Sequence, residues 1–207
     1  MMKETVNKFI AAKTSKDEFV AVGFNALACP KEFAQDLGNF IYQLHKLDYT
    51  GAESIELTLP VIEAEFFTLL DQMKRIAPVE ELRMYWNKAS KNPWSKAPVT
   101  LHGNLNLETV WVAQDKFAGA VEVEEVRVGD PAIDLTIAWE IFDDKQRKIF
   151  FSAVEADKAT VVRARVWAVY KAMKNYNSPD IDQSILARDV LFRINEELGL
   201  GTQPDLY

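Results

Sequence analysis

The hydrophobic spacing of this 207-residue chain is helical at first, turns strand-like across residues 99–124, and is helical again after Gly129. That change of period constrains the fold more than any other feature. A stripe spaced for 3.6 residues per turn cannot lie on a pleated sheet, and an alternating stretch cannot line a helix. On the N-terminal side, residues 3–13 read as a short helix and residues 19–24 as a strand. Pro30 opens a helix with Phe33, Leu37, Phe40, Ile41, Leu44 and Leu47 on one face, and residues 48–60 read as a loop. Ile62, Phe66, Leu69, Leu70, Met73 and Ile76 then line one helix, and Pro78 starts another that runs to about Asn92. The prolines of PWSKAP end it, since each lacks an amide donor and clashes with the turn before it.

In the middle, residues 99–101 read as a short strand. Residues 109–114 and 118–124 read as a hairpin joined by DKF. Asp130 is placed to cap a helix beginning at Pro131, and Asp134 lies near the positive end of its dipole. The closing helices carry Val162, Val166, Val169, Tyr170 and Met173, then Ala187, Val190, Leu191, Ile194 and Leu198. The expected fold class is α+β and mostly helical, with a small β-hairpin element.

Composition narrows the functional classes. A formal charge of -7 offers no basic surface to displace counterions, which argues against nucleic-acid binding. The most apolar run, FVAVGFNALAC, is too short for a membrane-crossing helix, so no membrane role is expected. Cys29 is the only cysteine, which excludes an internal disulfide. With no apolar signal-like segment at the start, a cytoplasmic location is expected.

The segment that carries chemistry is LHGNLNLETVWV, residues 101–112. In phosphoryl transfer a carboxylate takes the acceptor's proton, and an amide oxygen and a second carboxylate hold magnesium. In kinase-type loops the base and the amide ligand stand five residues apart. Here those two places fall on Asn104 and Thr109.

This loop, followed by GAVEVEEVRVGDPAIDL, resembles the C-terminal lobe of the aminoglycoside phosphotransferase and choline kinase-like family, whose pattern is roughly L-H-G-D-L-H-x-x-N-V-L-V, then V-I-D-F or V-I-D-W, then G-D-P-x-x-D-L. The upstream DLGNFIYQLHKLD resembles the family's helix ending in L-H-x-L-D. The resemblance implies a protein-kinase-like C-lobe over residues 19–207, with residues 1–18 as a helical extension. His102, Gly103, Gly129, Asp130, Pro131 and Asp134 match the family and shape the loop and the helix after it. Asn104 stands at the catalytic Asp, Thr109 at the metal-binding Asn and Glu122 at the metal-binding Asp.

Those departures weaken the chemistry. Asn104 cannot serve as a base, and loss of a positioned base costs about 10²–10⁴ in rate. Thr109 reaches less far than an amide. Glu122 keeps oxygen donors suited to magnesium, but its extra methylene shifts them, and a misplacement of about 1 Å can cost about 10²-fold. About 18 residues precede the first expected strand and no G-x-G-x-x-G occurs, so the nucleotide-binding N-lobe is expected to be absent. No cofactor is expected; ATP and magnesium enter only if another chain supplies that lobe.

From Asn104 through Asp134 stand seven acidic and two basic residues. Glu108, Glu124 and Glu125 therefore form either a solvated rim or a pocket for a cationic small molecule. His102 is expected to support the loop backbone, and His45 to pack at a helix end. A bare lobe surface around Phe19, Val20, Val22 and Phe24 would suit a protein partner or a homodimer. Three functions follow: an inactive kinase-like binding module, a phosphotransferase completed by a second chain, or a dimerisation unit.

Overall fold

The computed structural model describes residues 2–13, 20–21, 31–48, 55–113, 116–121, 123 and 125–200. It is mostly helical, and the chain divides into two compact units, each assembled from separate stretches of sequence. Residues 1–57 and 95–157 form the first, and residues 58–94 and 158–207 the second. Among the described residues no helix is long and apolar enough to cross a membrane.

The first unit holds both sheets. Helix α1 (Met2–Lys13) matches the expected first helix, and strand β1 (Val20–Ala21) lies within the expected first strand. Helix α2 (Lys31–His45) buries Phe33, Leu37, Phe40, Ile41 and Leu44, the stripe seen in the sequence. Phe33 meets Phe142 edge-on at 6.0 Å and Phe142 meets Phe150 at 5.4 Å, which tie α2 to helices α5 (Ile137–Ile141) and α6 (Asp144–Ala153). Asp143 and Gln146 close a reciprocal capping box at the start of α6.

One element departs from the sequence expectation. Ile55–Leu57, expected within a loop, forms strand β2. It runs parallel to β6 (Arg127–Gly129), which also pairs antiparallel with β3 (Val99–Leu101), giving the order β2-β6-β3. A three-residue strand is too short to show alternation, and its backbone bonds are decided by β6, which pairs Ile55 with Arg127, 72 residues on in sequence (127 − 55). The second sheet orders β1, β4 (Val110–Ala113) and β5 (Lys116–Ala120), all antiparallel, with an irregularity between Trp111 and Val112. Lys116 and Phe117, expected in the hairpin loop, belong to β5, which ends at Ala120 rather than continuing to 124.

After Gly129 the chain enters the expected helix at Pro131; over Pro131–Thr136 it takes the 3-10 form, and all six of these residues are buried. The expected cap is present: Asp130 accepts a hydrogen bond from the Ala132 N–H at 3.0 Å.

The second unit is four helices: α3 (Leu59–Gln72), α4 (Val79–Ser90), α7 (Lys158–Asn175) and α8 (Ile181–Glu197). Ile62, Phe66, Leu70 and Met73 are buried along α3, with the Phe66 ring 4.3 Å from that of Trp86 on α4. Helix α7 packs on the other three and is buried around most of its circumference, so its polar groups need internal partners. Arg163 donates to the Asn92 carbonyl at 2.9 Å and to Thr160 Oγ1 at 3.1 Å. Arg165 links the Tyr85 hydroxyl at 2.5 Å to the Glu197 carboxylate at 2.6 Å.

Gly129 shows how closely β2 and β6 are built together. A Cβ there would lie 2.2 Å from the Leu57 carbonyl oxygen and 2.9 Å from its nitrogen, both backbone atoms of the paired strand. Gly129→Ala is therefore expected to force β2 from β6 and destabilise the protein by about 1–3 kcal/mol, the usual range for overpacking. Thermal and urea unfolding measure it; wild-type stability would contradict this packing.

Candidate functional site

The loop after β3 is organised by one buried carboxylate. Asp134, in the 3-10 helix, is fully buried. Its Oδ2 accepts the His102 backbone N–H at 2.9 Å, and its Oδ1 accepts the Gly103 N–H at 2.7 Å. His45, the last residue of α2, donates from Nε2 to Asp134 Oδ2 at 3.1 Å. An ionised carboxylate only accepts, so Nε2 must carry the proton in this bond. The expectation that His45 merely packs at a helix end is incomplete. It is a partner of the loop's anchor, 89 residues away in sequence.

Burial acts on Asp134 most strongly and pushes its pKa up. The hydrogen bond and charge of His45, the charge of His102 and the Gly103 N–H together outweigh burial, and the net pKa lies below the ordinary carboxylate value. Thr100 on β3 donates to the Leu47 carbonyl at 2.8 Å, which ties the strand leading into the loop to the end of α2 that carries His45.

The loop takes its bend at Gly103, whose φ of +77° lies in the left-handed region. The Arg127 side chain lies against it: Cδ would be 2.6 Å from a Cβ at Gly103, and Nη1 donates to the Gly103 carbonyl at 3.2 Å. His102 is buried and, as expected, supports the backbone. Its Nε2 donates to the Val121 carbonyl at 2.8 Å, joining the loop to the end of β5.

Beyond the bend, Asn104 is exposed. The Thr109 hydroxyl is engaged within the loop: it donates to the Asn104 carbonyl at 2.9 Å and accepts the Asn106 N–H at 2.9 Å. A hydroxyl has one proton, so its single donor is committed to that closure. Asn106, which drew no attention as sequence, accepts the Glu108 and Thr109 N–H groups at 2.8 and 3.1 Å through Oδ1. An Asx turn of this type is a local preference of asparagine and could have been read from NLNLET. Glu108 and Glu125 are exposed, while Glu122 and Glu124 lie outside the described residues.

The structure therefore brings together His102, Gly103, Asn104, Thr109 and Asp134, and places Gly129, Asp130 and Pro131 in the strand and turn that deliver Asp134. Phe19, Val22 and Phe24, part of the expected bare surface, lie outside the described residues. Among the described residues no group of three or more His, Cys, Asp or Glu is placed to hold a metal ion.

This fold is shared with solved kinase-like phosphotransferases. A macrolide 2'-phosphotransferase type I superposes with a TM-score of 0.59 at 15% identity, over 89% of this chain and 76% of that one. A spectinomycin phosphotransferase in complex with ADP and spectinomycin gives 0.54 at 10% identity, over 91% and 77%. A choline/ethanolamine kinase family protein from Mesorhizobium loti gives 0.56 at 14% identity, over 94% and 77%. No protein-family model and no curated protein matches the sequence. The fold expected from the HG loop and GDPAIDL is thus present: that of the aminoglycoside phosphotransferase and choline kinase-like proteins.

Asp134→Asn tests the anchor. An amide has one acceptor oxygen for three donors and turns its NH₂ toward one of them, so a loss of about 3 kcal/mol or more is expected. Because the folded pKa of Asp134 is depressed, its contribution is fully present above the ordinary carboxylate pKa of about 3.9 and is lost as pH falls through the folded value. Urea unfolding from about pH 2 to about pH 7 should show a steeper acid loss for the wild type than for Asp134→Asn. Parallel curves would remove the role given to this carboxylate.

Proposed function

We propose that this chain is a kinase-like C-lobe without phosphotransfer activity that acts as a ligand- or partner-binding module. The observation that carries the reading is the loop itself. Its scaffold is intact, yet the base position holds the neutral, exposed Asn104, and the Thr109 hydroxyl at the amide-ligand position is used to close the loop. Asn104 offers no carboxylate to take a proton from an alcohol, and magnesium prefers several unengaged oxygen donors in near-octahedral array. The described residues do not fit a magnesium site of the kinase kind.

The sequence also has no G-x-G-x-x-G, and its only G-x-G, Gly199 to Gly201, follows the last helix. A missing base and a missing amide ligand together are harder to compensate than either alone. What the loop region retains is acidity. Glu108 and Glu125 are exposed among seven acidic and two basic residues from Asn104 to Asp134, and a surface of that sign favours a cationic small molecule or a basic partner. The protein acts in the cytoplasm in this reading.

Calorimetric titration with ATP and magnesium is expected to give no binding heat. Asn104→Asp combined with Thr109→Asn is expected to remain without turnover on amino-sugar and choline-type alcohols. Micromolar nucleotide binding, or phosphorylated product from the double variant, would favour a phosphotransferase completed by a second chain.

A further inference from the structure

Helix α8 carries two stripes. Ala187, Leu191 and Ile194 are buried, and the helix packs on α7, where Ser184 Oγ donates to the Tyr176 carbonyl at 2.7 Å. Ile181, Ile185, Arg188 and Phe192 form a second stripe, whose steps of four, three and four residues are those of the seam between two paired helices. The start of that seam is uncovered: Ile181 is 73% exposed and Ile185 57%. Arg188 and Phe192 are half-buried. Scattered apolar residues at a surface need no explanation, but these are spaced to meet one straight neighbour.

A guanidinium would ordinarily spoil such a seam. Here it is drawn aside over the Tyr176 ring, 5.0 Å from the centroid, and Arg188 makes no ion pair among the described residues. Its aliphatic stem stays on the seam, where it can cover an apolar neighbour. One edge of the seam is charged. Asp182 is exposed and its carboxylate has no ion pair among the described residues, while Arg193 pairs with Asp189 at 2.6 Å. Asp182 and Arg193 share that edge, since eleven residues are close to three whole turns, but at about 16 Å along one helix they cannot meet each other.

We propose that α8 pairs antiparallel with α8 of a second copy of this chain. A twofold axis between Ile185 and Arg188 sets Ile181 against Phe192 of the second copy and Ile185 against the Arg188 stem, each contact occurring twice. The same axis brings Asp182 to Arg193 of the second copy, again twice, so the face complements itself in charge as well as in apolar register. A parallel pair would instead set Arg188 opposite Arg188 and Asp182 opposite Asp182, and like charges in register oppose it. One helix from each copy makes a small interface, so the dimer depends on concentration. It goes beyond the binding-module reading and forms without ligand.

Light scattering on the full chain, without ligand and across increasing concentration, tests the pairing. The mass should rise from monomer to dimer. Ile185→Asp should hold it at monomer while keeping the wild-type circular dichroism, because that side chain is exposed. Asp182→Arg should weaken dimerisation about tenfold or more, and adding Arg193→Asp should restore most of the loss. In a Cys29→Ser background, Ile181→Cys combined with Phe192→Cys should cross-link two copies on oxidation, and either cysteine alone should not. A monomer mass at every concentration overturns the proposal, whatever else binds this face. So does Ile185→Asp that dimerises like the wild type, a charge swap that restores nothing, or Ile181→Cys alone cross-linking as fast as the pair.

Discussion

The loop of the first unit depends on the burial of one negative charge. Asp134 has no exposed surface, and its two oxygens take up the His102 and Gly103 N–H groups that the bend at Gly103 turns inward. Two inward N–H groups without an acceptor would each cost about as much as a lost hydrogen bond, and a buried carboxylate without donors far more. Each side makes the other tolerable. His45 completes the arrangement from α2, so a helix, a strand, a loop and a 3-10 turn share one small polar centre inside an apolar core.

That centre separates scaffold from chemistry. The residues it fixes are those that set where the backbone runs: His102 onto Val121, Arg127 onto the Gly103 carbonyl, Thr109 onto the Asn104 carbonyl. None of these bonds needs a carboxylate at position 104 or an amide at position 109. A loop held in this way keeps its backbone course whatever side chain stands at position 104. The Thr109 hydroxyl is the clearest instance, because what it contributes is loop closure.

Much of this was legible in advance. The α2 stripe, the α3 stripe, the hairpin and the Asp130 cap follow from spacing and from local capping chemistry, which the chain carries within a few residues. The 3-10 form of Pro131–Thr136 was not, because 3-10 and α turns share the same start signals and differ by how the chain is packed afterwards. Strand β2 was hidden in a loop for want of length. His45 was invisible as a site residue, since it acts on a side chain 89 positions away and carries no local signature of it.

The residues alone determined which stretches could be helix or strand, and that positions 104 and 109 carry Asn and Thr. These are properties of side-chain chemistry and short-range spacing. Only the tertiary structure decided what Asp134 holds, that Thr109 turns its hydroxyl into the loop, and how the chain divides into two units. Hydrogen bonds between residues far apart in sequence leave no period behind; they exist only once burial has removed water as the competing partner.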